Sequence, residues 1–247
     1  MEIGDIGKCI EGVWFPKEEH HMVEWMLRGK KSFMKEGKPT YQWQKQEAAM
    51  QIADKYIPNW RDGVFVDVGG HCGFWSMWWG IEMSRVVAFE PIEYLRTIYQ
   101  ANMGPTTNYM VLPYALSNEH GGTVEMKVFP ENTGATRLWA EGEERPDTVQ
   151  THEAKVTTLD YALPAYLNSG EPMKVLKIDC EGFEEKVVRG GADVIRKYKP
   201  LVIVEQKFEG RHFDFEEKGA VHVLEGWGYK AMKVLAGDHI MVHKDFL

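Results

Sequence analysis

Cysteine is scarce: Cys9, Cys72 and Cys180 are the three in 247 residues, far apart and with no C-x-x-C pair. That argues against a disulfide framework and against a thiolate zinc site. No uninterrupted apolar stretch approaches the ~18 residues that a membrane helix needs. The opening MEIGDIGKCIEGVW has neither the basic nor the apolar segment of a secretion signal. Positive charge is also short: 29 Lys and Arg against 37 Asp and Glu leave a formal net charge of −8. A general binder of the nucleic-acid backbone needs a basic face, so no general nucleic-acid binding is expected, although a local basic groove stays open. Hydrophobic residues at 44% and charged residues at 27% fit an ordinary globular chain rather than a disordered one. The expectation is a protein of the reducing cytoplasm with no membrane association.

What is present divides into two textures. Residues 1–58 mix charge with aromatics, and YQWQKQEAAMQIADKYI (41–57) spaces Ala48, Ala49, Ile52, Ala53 and Tyr56 as one apolar helical face. This stretch is expected to be an N-terminal helical cap, followed by one domain over 59–247. From Gly63 onward, apolar runs alternate with helical segments. Strands are expected at Val64–Val68, Arg85–Phe89, Tyr109–Leu116, Thr123–Phe129, Glu153–Leu159, Val175–Ile178 and Leu201–Val204. Helices are expected at Phe74–Met83, Ile92–Met103, Phe183–Tyr198 and about 215–226, and a strand-turn-strand pair closes the chain. Alternation of this kind predicts an α/β fold: a Rossmann-like, doubly wound sheet of seven strands with an antiparallel C-terminal pair. Ligands in such sheets bind beyond the carboxyl ends of the strands.

Three segments sit at those ends. The first, Asp67-Val-Gly69-Gly70-His71-Cys72-Gly73, joins a strand to a helix through glycines that let backbone approach a ligand closely. It does not meet the dinucleotide spacing of glycines, and its carboxylate suits a ligand carrying an ammonium group. The second, Glu90, closes its strand about 20 residues further on, where an acid accepts the hydroxyls of a ribose. A ligand with an amino acid at one end and a ribose at the other is S-adenosylmethionine. The third, Lys177-Ile-Asp179-Cys-Glu181-Gly182-Phe183-Glu184, sets two carboxylates at the mouth of the sheet, where an acid is also favoured as a helix cap.

Taken in order, DVGGHCG, AFEP, YALS, VTTLD, KIDCEGFE, RGG and PLVIVE resemble the FkbM-type methyltransferases, class I enzymes that use S-adenosylmethionine, over roughly residues 60–206. The resemblance implies that Asp67, Gly69 and Gly73 hold the methionine portion of the cofactor. It implies that Glu90 binds the ribose and that Ala115 and Leu116 line the adenine pocket. Asp179 would lie near the reacting centre, with Glu181 supporting the turn on the acceptor side. The chain departs from the family at Gly70 and His71, where a small residue and Asn are usual, and this brings an imidazole near the methyl group.

The activity so implied is methyl transfer, with the hydroxyl of a sugar or another small molecule as the family's acceptor. Asp179 is the first candidate for the base, through a pKa raised by desolvation, with His71 and Glu205 behind it. No metal is assigned, although Asp179, Glu181 and Glu205 are oxygen donors of the kind a divalent ion takes. The long segment 130–150 is expected to form a flap in which Arg137 and Trp139 grip the acceptor. Trp75, Trp78 and Trp79 are read as core, and His20-His21 as a solvated pair. A nucleic-acid methyltransferase and a cofactor-binding subunit without turnover are the alternatives.

Overall fold

The computed structural model describes residues 2–28, 32–104, 108–207 and 216–247. The expected start of the last helix at 215 lies outside the described residues. The N-terminal part is not purely helical. A short helix α1 (Ile3–Ile6) leads into an antiparallel hairpin of β1 (Gly7–Ile10) and β2 (Val13–Pro16). Then come α2 (His21–Leu27), a second small hairpin of β3 (Met34–Lys35) and β4 (Lys38–Pro39), and α3 (Trp43–Tyr56). The hairpin strands are too short to leave a clear alternation, so the expectation of a helical cap missed them. Ala48, Ala49, Ala53 and Ile57 seat α3 on the sheet's own core.

The alternating units that follow are β5 (Val64–Val68), α4 (Phe74–Glu82), β6 (Arg85–Phe89), α5 (Glu93–Met103) and β7 (Tyr109–Leu112). The expected third strand stops there. Pro113 has no N–H to donate to a ladder, and beyond it β8 (Tyr114–Leu116) pairs in a different sheet. That smaller sheet adds β9 (Thr123–Val128), β10 (Arg137–Leu138) and β11 (Gln150–Thr157), in the order β10-β9-β11-β8. A short helix α6 (Leu159–Ala162), capped by the Thr158 side chain, returns the chain to β12 (Met173–Ile178). The helix expected over Phe183–Tyr198 is two: α7 (Glu184–Gly190) and α8 (Ala192–Tyr198). The break is at Gly191, which caps both helices and where a Cβ would press on the Leu159 side chain. The chain closes with β13 (Leu201–Glu205), α9 (Gly219–Gly226), β14 (Tyr229–Leu235) and β15 (Asp238–His243).

The central sheet has seven strands in the order β14-β15-β13-β12-β5-β6-β7. β13, β12, β5, β6 and β7 run parallel, and β14 and β15 form the antiparallel edge. Its inner parallel strands β13, β12, β5 and β6 are buried on both faces, as parallel sheets require. Val64, Val66 and Val68 meet one core with α6 to α9, while Phe65 meets the other with Trp75, Trp78 and Trp79 of α4. Period-2 alternation carries this pattern to the polar residues. Asp67 and Lys177 are direct register partners on the α4 face, and Glu205 follows Ile203 on that same face.

Candidate active site

One cavity opens beyond the carboxyl ends of β5, β6, β12 and β13, enclosing about 1020 Å³ that is partly open to solvent. Its walls come from several parts of the chain. The glycine loop gives Gly69, Gly70 and His71; the end of β6 gives Phe89, Glu90 and Pro91; the smaller sheet gives Ala115, Leu116, Met126 and Leu138; and the ends of β12 and β13 give Lys177, Asp179, Glu181, Glu205 and Lys207. The N-terminal part adds Met22, Tyr41 and Gln42.

Gly69 has φ +77, and a Cβ there would collide with the carbonyl of Asp179, so the loop lies flat against the neighbouring strand end. The amides of Gly69 and Gly70 both donate to the Phe89 carbonyl, at 3.1 and 3.0 Å, rather than into the cavity. Glu90 is held by its two oxygens: one accepts the Ile92 N–H at 2.8 Å, the other the His71 N–H at 2.9 Å. Each oxygen keeps lone pairs for further donors. Burial lifts its pKa to about 7, against the pull of those two amides and of Arg96.

Two of the expected cofactor residues stand behind the wall. Asp67 is fully buried, with Ser76 Oγ donating to it at 2.7 Å and the Lys177 ammonium 3.3 Å away. Its negative charge is therefore answered by the protein's own ammonium, a correction to the expectation that it receives the ligand's. Gly73 caps α4 at φ +82 and lies against the Tyr99 ring, serving the turn rather than the wall. Gly69, Glu90, Ala115 and Leu116 do line the cavity.

The end of the cavity at β12 and β13 carries three carboxylates, from Asp179, Glu181 and Glu205, with oxygens within 4.8 Å of one another. Lys177 stands 3.6 Å from Asp179, and Lys207 is paired with Glu205. Burial would push Asp179 up, but the ammonium groups of Lys177, Lys207 and Lys45 outweigh it and hold the acid below its ordinary pKa. The expectation of a desolvated, raised Asp179 is thus corrected by a lysine two residues earlier, on β12. Its neighbours are the raised acids: burial, then the charge of Asp179, lifts Glu205 to about 8 and Glu181 to about 9. The same burial and the three carboxylates push the Tyr41 hydroxyl upward.

These raised acids make stability fall with alkali. Each binds its proton more tightly folded than unfolded, so its contribution is complete below about pH 4.5 and is lost as pH climbs through the folded values near 8 and 9. Melting temperature is expected to drop between pH 6 and pH 9, and Glu181→Gln to flatten that drop. An equally steep fall in the variant would refute the raised Glu181.

The segment 130–150 reaches the cavity, though not through the expected residues. Pairing of β10 with β9 sets Leu138 beside Met126, both facing the cavity, and Arg137 beside Lys127 on the opposite side. There Arg137 is bound to Glu143, and Trp139 lines a separate depression under Lys127 and Arg145. Thr133, Gly134 and Thr136 take the place expected of Arg137 and Trp139. Residues that sequence reasoning missed include Tyr41 and Gln42, which lie in the N-terminal part, away from the strand ends of the central sheet. Lys177 could have been found, since it stands two residues before Asp179. Trp75, read as core, is buried and also lines the cavity, its Nε1 donating to Gln42 at 2.9 Å.

A mostly parallel sheet whose carboxyl edge carries a glycine loop, a buried acid at the next strand end and a cluster of carboxylates has the architecture of Rossmann-like methyltransferases. The FkbM methyltransferase domain matches residues 67–231, and the chain belongs to that family of S-adenosylmethionine-dependent enzymes. No curated protein matches. Among solved structures, the chain is similar to an FkbM methyltransferase from Methylobacillus flagellatus KT at 14% identity and TM-score 0.45, over 73% of this chain and 43% of that one. It is also similar to the O-methyltransferase TomG from Streptomyces achromogenes, at 10% identity and TM-score 0.46, over 91% of this chain and 88% of that one. An rRNA methylase from Streptococcus thermophilus aligns at 10% identity and TM-score 0.45, over 79% and 92%. Among the described residues no helix is long and apolar enough to cross a membrane.

Proposed function

We propose that the protein methylates a hydroxyl group on a sugar or another small molecule. The observation that carries this reading is that Glu205 and Asp179 share one cavity with Gly69 and Glu90. When bound, S-adenosylmethionine supplies an electrophilic methyl group. Gly69 lets the loop lie flat against the end of β12, where any Cβ would strike the Asp179 carbonyl, and Glu90, already fixed by two amides, offers its remaining lone pairs to a pair of hydroxyls. Ala115 and Leu116 provide an apolar wall for the adenine.

At the other end, Tyr41, Gln42 and the carboxylates are partners for a molecule rich in hydroxyls. Asp179, kept ionised by Lys177, accepts a hydrogen bond from the acceptor and orients it. Glu205, with a pKa of about 8, is better matched than Asp179 to taking the hydroxyl proton near neutral pH. Residues 1–58 act as the cap that closes this end, and Glu181 sustains the turn beneath it. The free thiols of Cys9, Cys72 and Cys180 suit the reducing cytoplasm.

The decisive experiment incubates the purified protein and methyl-labelled S-adenosylmethionine with small-molecule and glycan extracts, and reads labelled products by mass spectrometry. A labelled hydroxyl compound is expected; label on nucleic acid alone, or tight cofactor binding without any transfer, would overturn the reading. For the cofactor half, Glu90→Gln is expected to weaken S-adenosylmethionine binding by roughly 10- to 100-fold. A charge-assisted hydrogen bond is worth about 1.5–3 kcal/mol, and the new amide meets an N–H donor on either side. Calorimetry that finds wild-type affinity in the folded variant would remove Glu90 from the ribose site.

A further inference from the structure

Glu19 is fully buried, although it lies in the charged PKEEHH stretch of the N-terminal part. One of its oxygens accepts the Met22 N–H at 2.8 Å, at the start of α2. The other accepts both the N–H and the hydroxyl of Thr133, each at 2.6 Å. Thr133 is itself fully buried, and its Oγ1 lies 3.0 Å from His71 Nε2. The backbone strengthens this junction, because His20 and His21 N–H both donate to the Glu131 carbonyl at 3.1 Å. Three distant segments therefore meet in one chain of hydrogen bonds: carboxylate, hydroxyl, imidazole.

The direction of that chain follows from counting protons. A hydroxyl has one proton to give, and an ionised carboxylate only accepts. The proton goes to Glu19, where the bond is charge-assisted and short. Thr133 Oγ1 then has only lone pairs to turn toward His71, so Nε2 carries the ring proton. The hydrogen bonds of the ring run to Thr133, through its hydroxyl at Nε2 and through its backbone, and His71 lines the cavity.

We infer that Glu19 and Thr133 are positioning residues that lock His71 in its Nε2–H tautomer, leaving the Nδ1 lone pair to accept a hydrogen bond from the methyl acceptor. This rests on the reading of the cavity as a transferase site and adds a selection rule to it: the acceptor must present a donor, O–H or N–H, toward His71. The other groups around the ring keep it neutral. Burial, then the Lys177 ammonium, lowers the His71 pKa to about 4, with Asp179 and a hydrogen bond to the Thr133 backbone pulling the other way. Glu90 takes its backbone N–H, and Glu19 stands behind Thr133.

The test uses protein labelled with ¹⁵N in histidine, with long-range proton–nitrogen correlation spectra and the His71 signals assigned by their loss in His71→Asn. The wild type is expected to show a protonated Nε2 and a bare Nδ1, unchanged from pH 6 to pH 8. Thr133→Val keeps the shape but removes the hydroxyl, so the Nδ1–H form should emerge; Thr133→Ser should restore the wild-type pattern. A wild-type ring protonated at Nδ1, or one titrating near the ordinary value of about 6.5, overturns the inference even if Thr133→Val fails to fold. So does a folded Thr133→Val with the wild-type spectrum. Calorimetric titration of the wild type with S-adenosylmethionine runs alongside. Absent binding refutes the transferase reading and leaves the tautomer result standing, whereas binding with the wrong tautomer refutes only the relay.

Discussion

Glu205→Gln is expected to lower turnover of the identified acceptor by roughly 10²–10⁴, the usual worth of a positioned base. Its geometry is favourable: the side chain is nearly fully buried at the end of β13, on the face shared with Lys177, and it lines the cavity. The wild-type rate should rise with pH through about 8, as the proton leaves Glu205. In Glu205→Gln that rise should vanish along with the activity. Asp179→Asn separates the two carboxylates, because the charge of Asp179 is what raises Glu205 beyond the effect of burial. With Glu205 as base, Asp179→Asn shifts the rising limb to lower pH while keeping its shape. If instead Asp179→Asn abolishes turnover and Glu205→Gln leaves the pH profile intact, Asp179 is the base, as first expected from sequence.

Lys177→Met is expected to cost about 3–5 kcal/mol of stability, the range found when one member of a buried ion pair is removed. Lys177 is almost wholly buried, donates to the Gly69 carbonyl at 3.0 Å, and stands between Asp67 and Asp179. Without it, Asp67 keeps only the Ser76 hydroxyl at 2.7 Å. Burial already raises the Asp67 pKa against the pull of Lys177, so losing the ammonium raises it further. The stability deficit should then shrink in acid, where Asp67 takes up a proton. Urea unfolding at pH 7 and pH 5 measures this, and Asp67→Asn added to Lys177→Met should recover part of the loss. A double variant no more stable than Lys177→Met alone would show that the pair is not where the energy lies.

The order of strands and the glycine loop were readable because they depend on neighbours in sequence. Val64-Phe-Val-Asp-Val68 followed by glycines can hardly be anything but a buried strand meeting a turn. The positions of Glu90, Asp179 and Glu205 at strand ends followed from that alone. What the sequence concealed depends on register and on distant contacts. Arg137 and Leu138 are adjacent, yet pairing with β9 sends one to Glu143 and the other to the cavity. Thr133 and Glu19 are 114 positions apart, and nothing local to either announces the bond. The raised Asp179 failed for a related reason: its neighbour Lys177 was read as part of a motif rather than as a charge aimed at it. The split at Pro113 had a visible signal, but an apolar run on both sides masked it.

That proline has a mechanical consequence. The segment 109–116 is anchored in the central sheet up to Leu112 and in the smaller sheet from Tyr114, so one residue is the whole span between them. Ala115 and Leu116 thus belong to the smaller sheet, the same body that carries Met126 and Leu138. Any tilt of that sheet would move Ala115 and Leu116 together with Met126 and Leu138. Stretches of cavity wall far apart in sequence are thereby carried on one sheet, joined to the central sheet along this segment by a single residue.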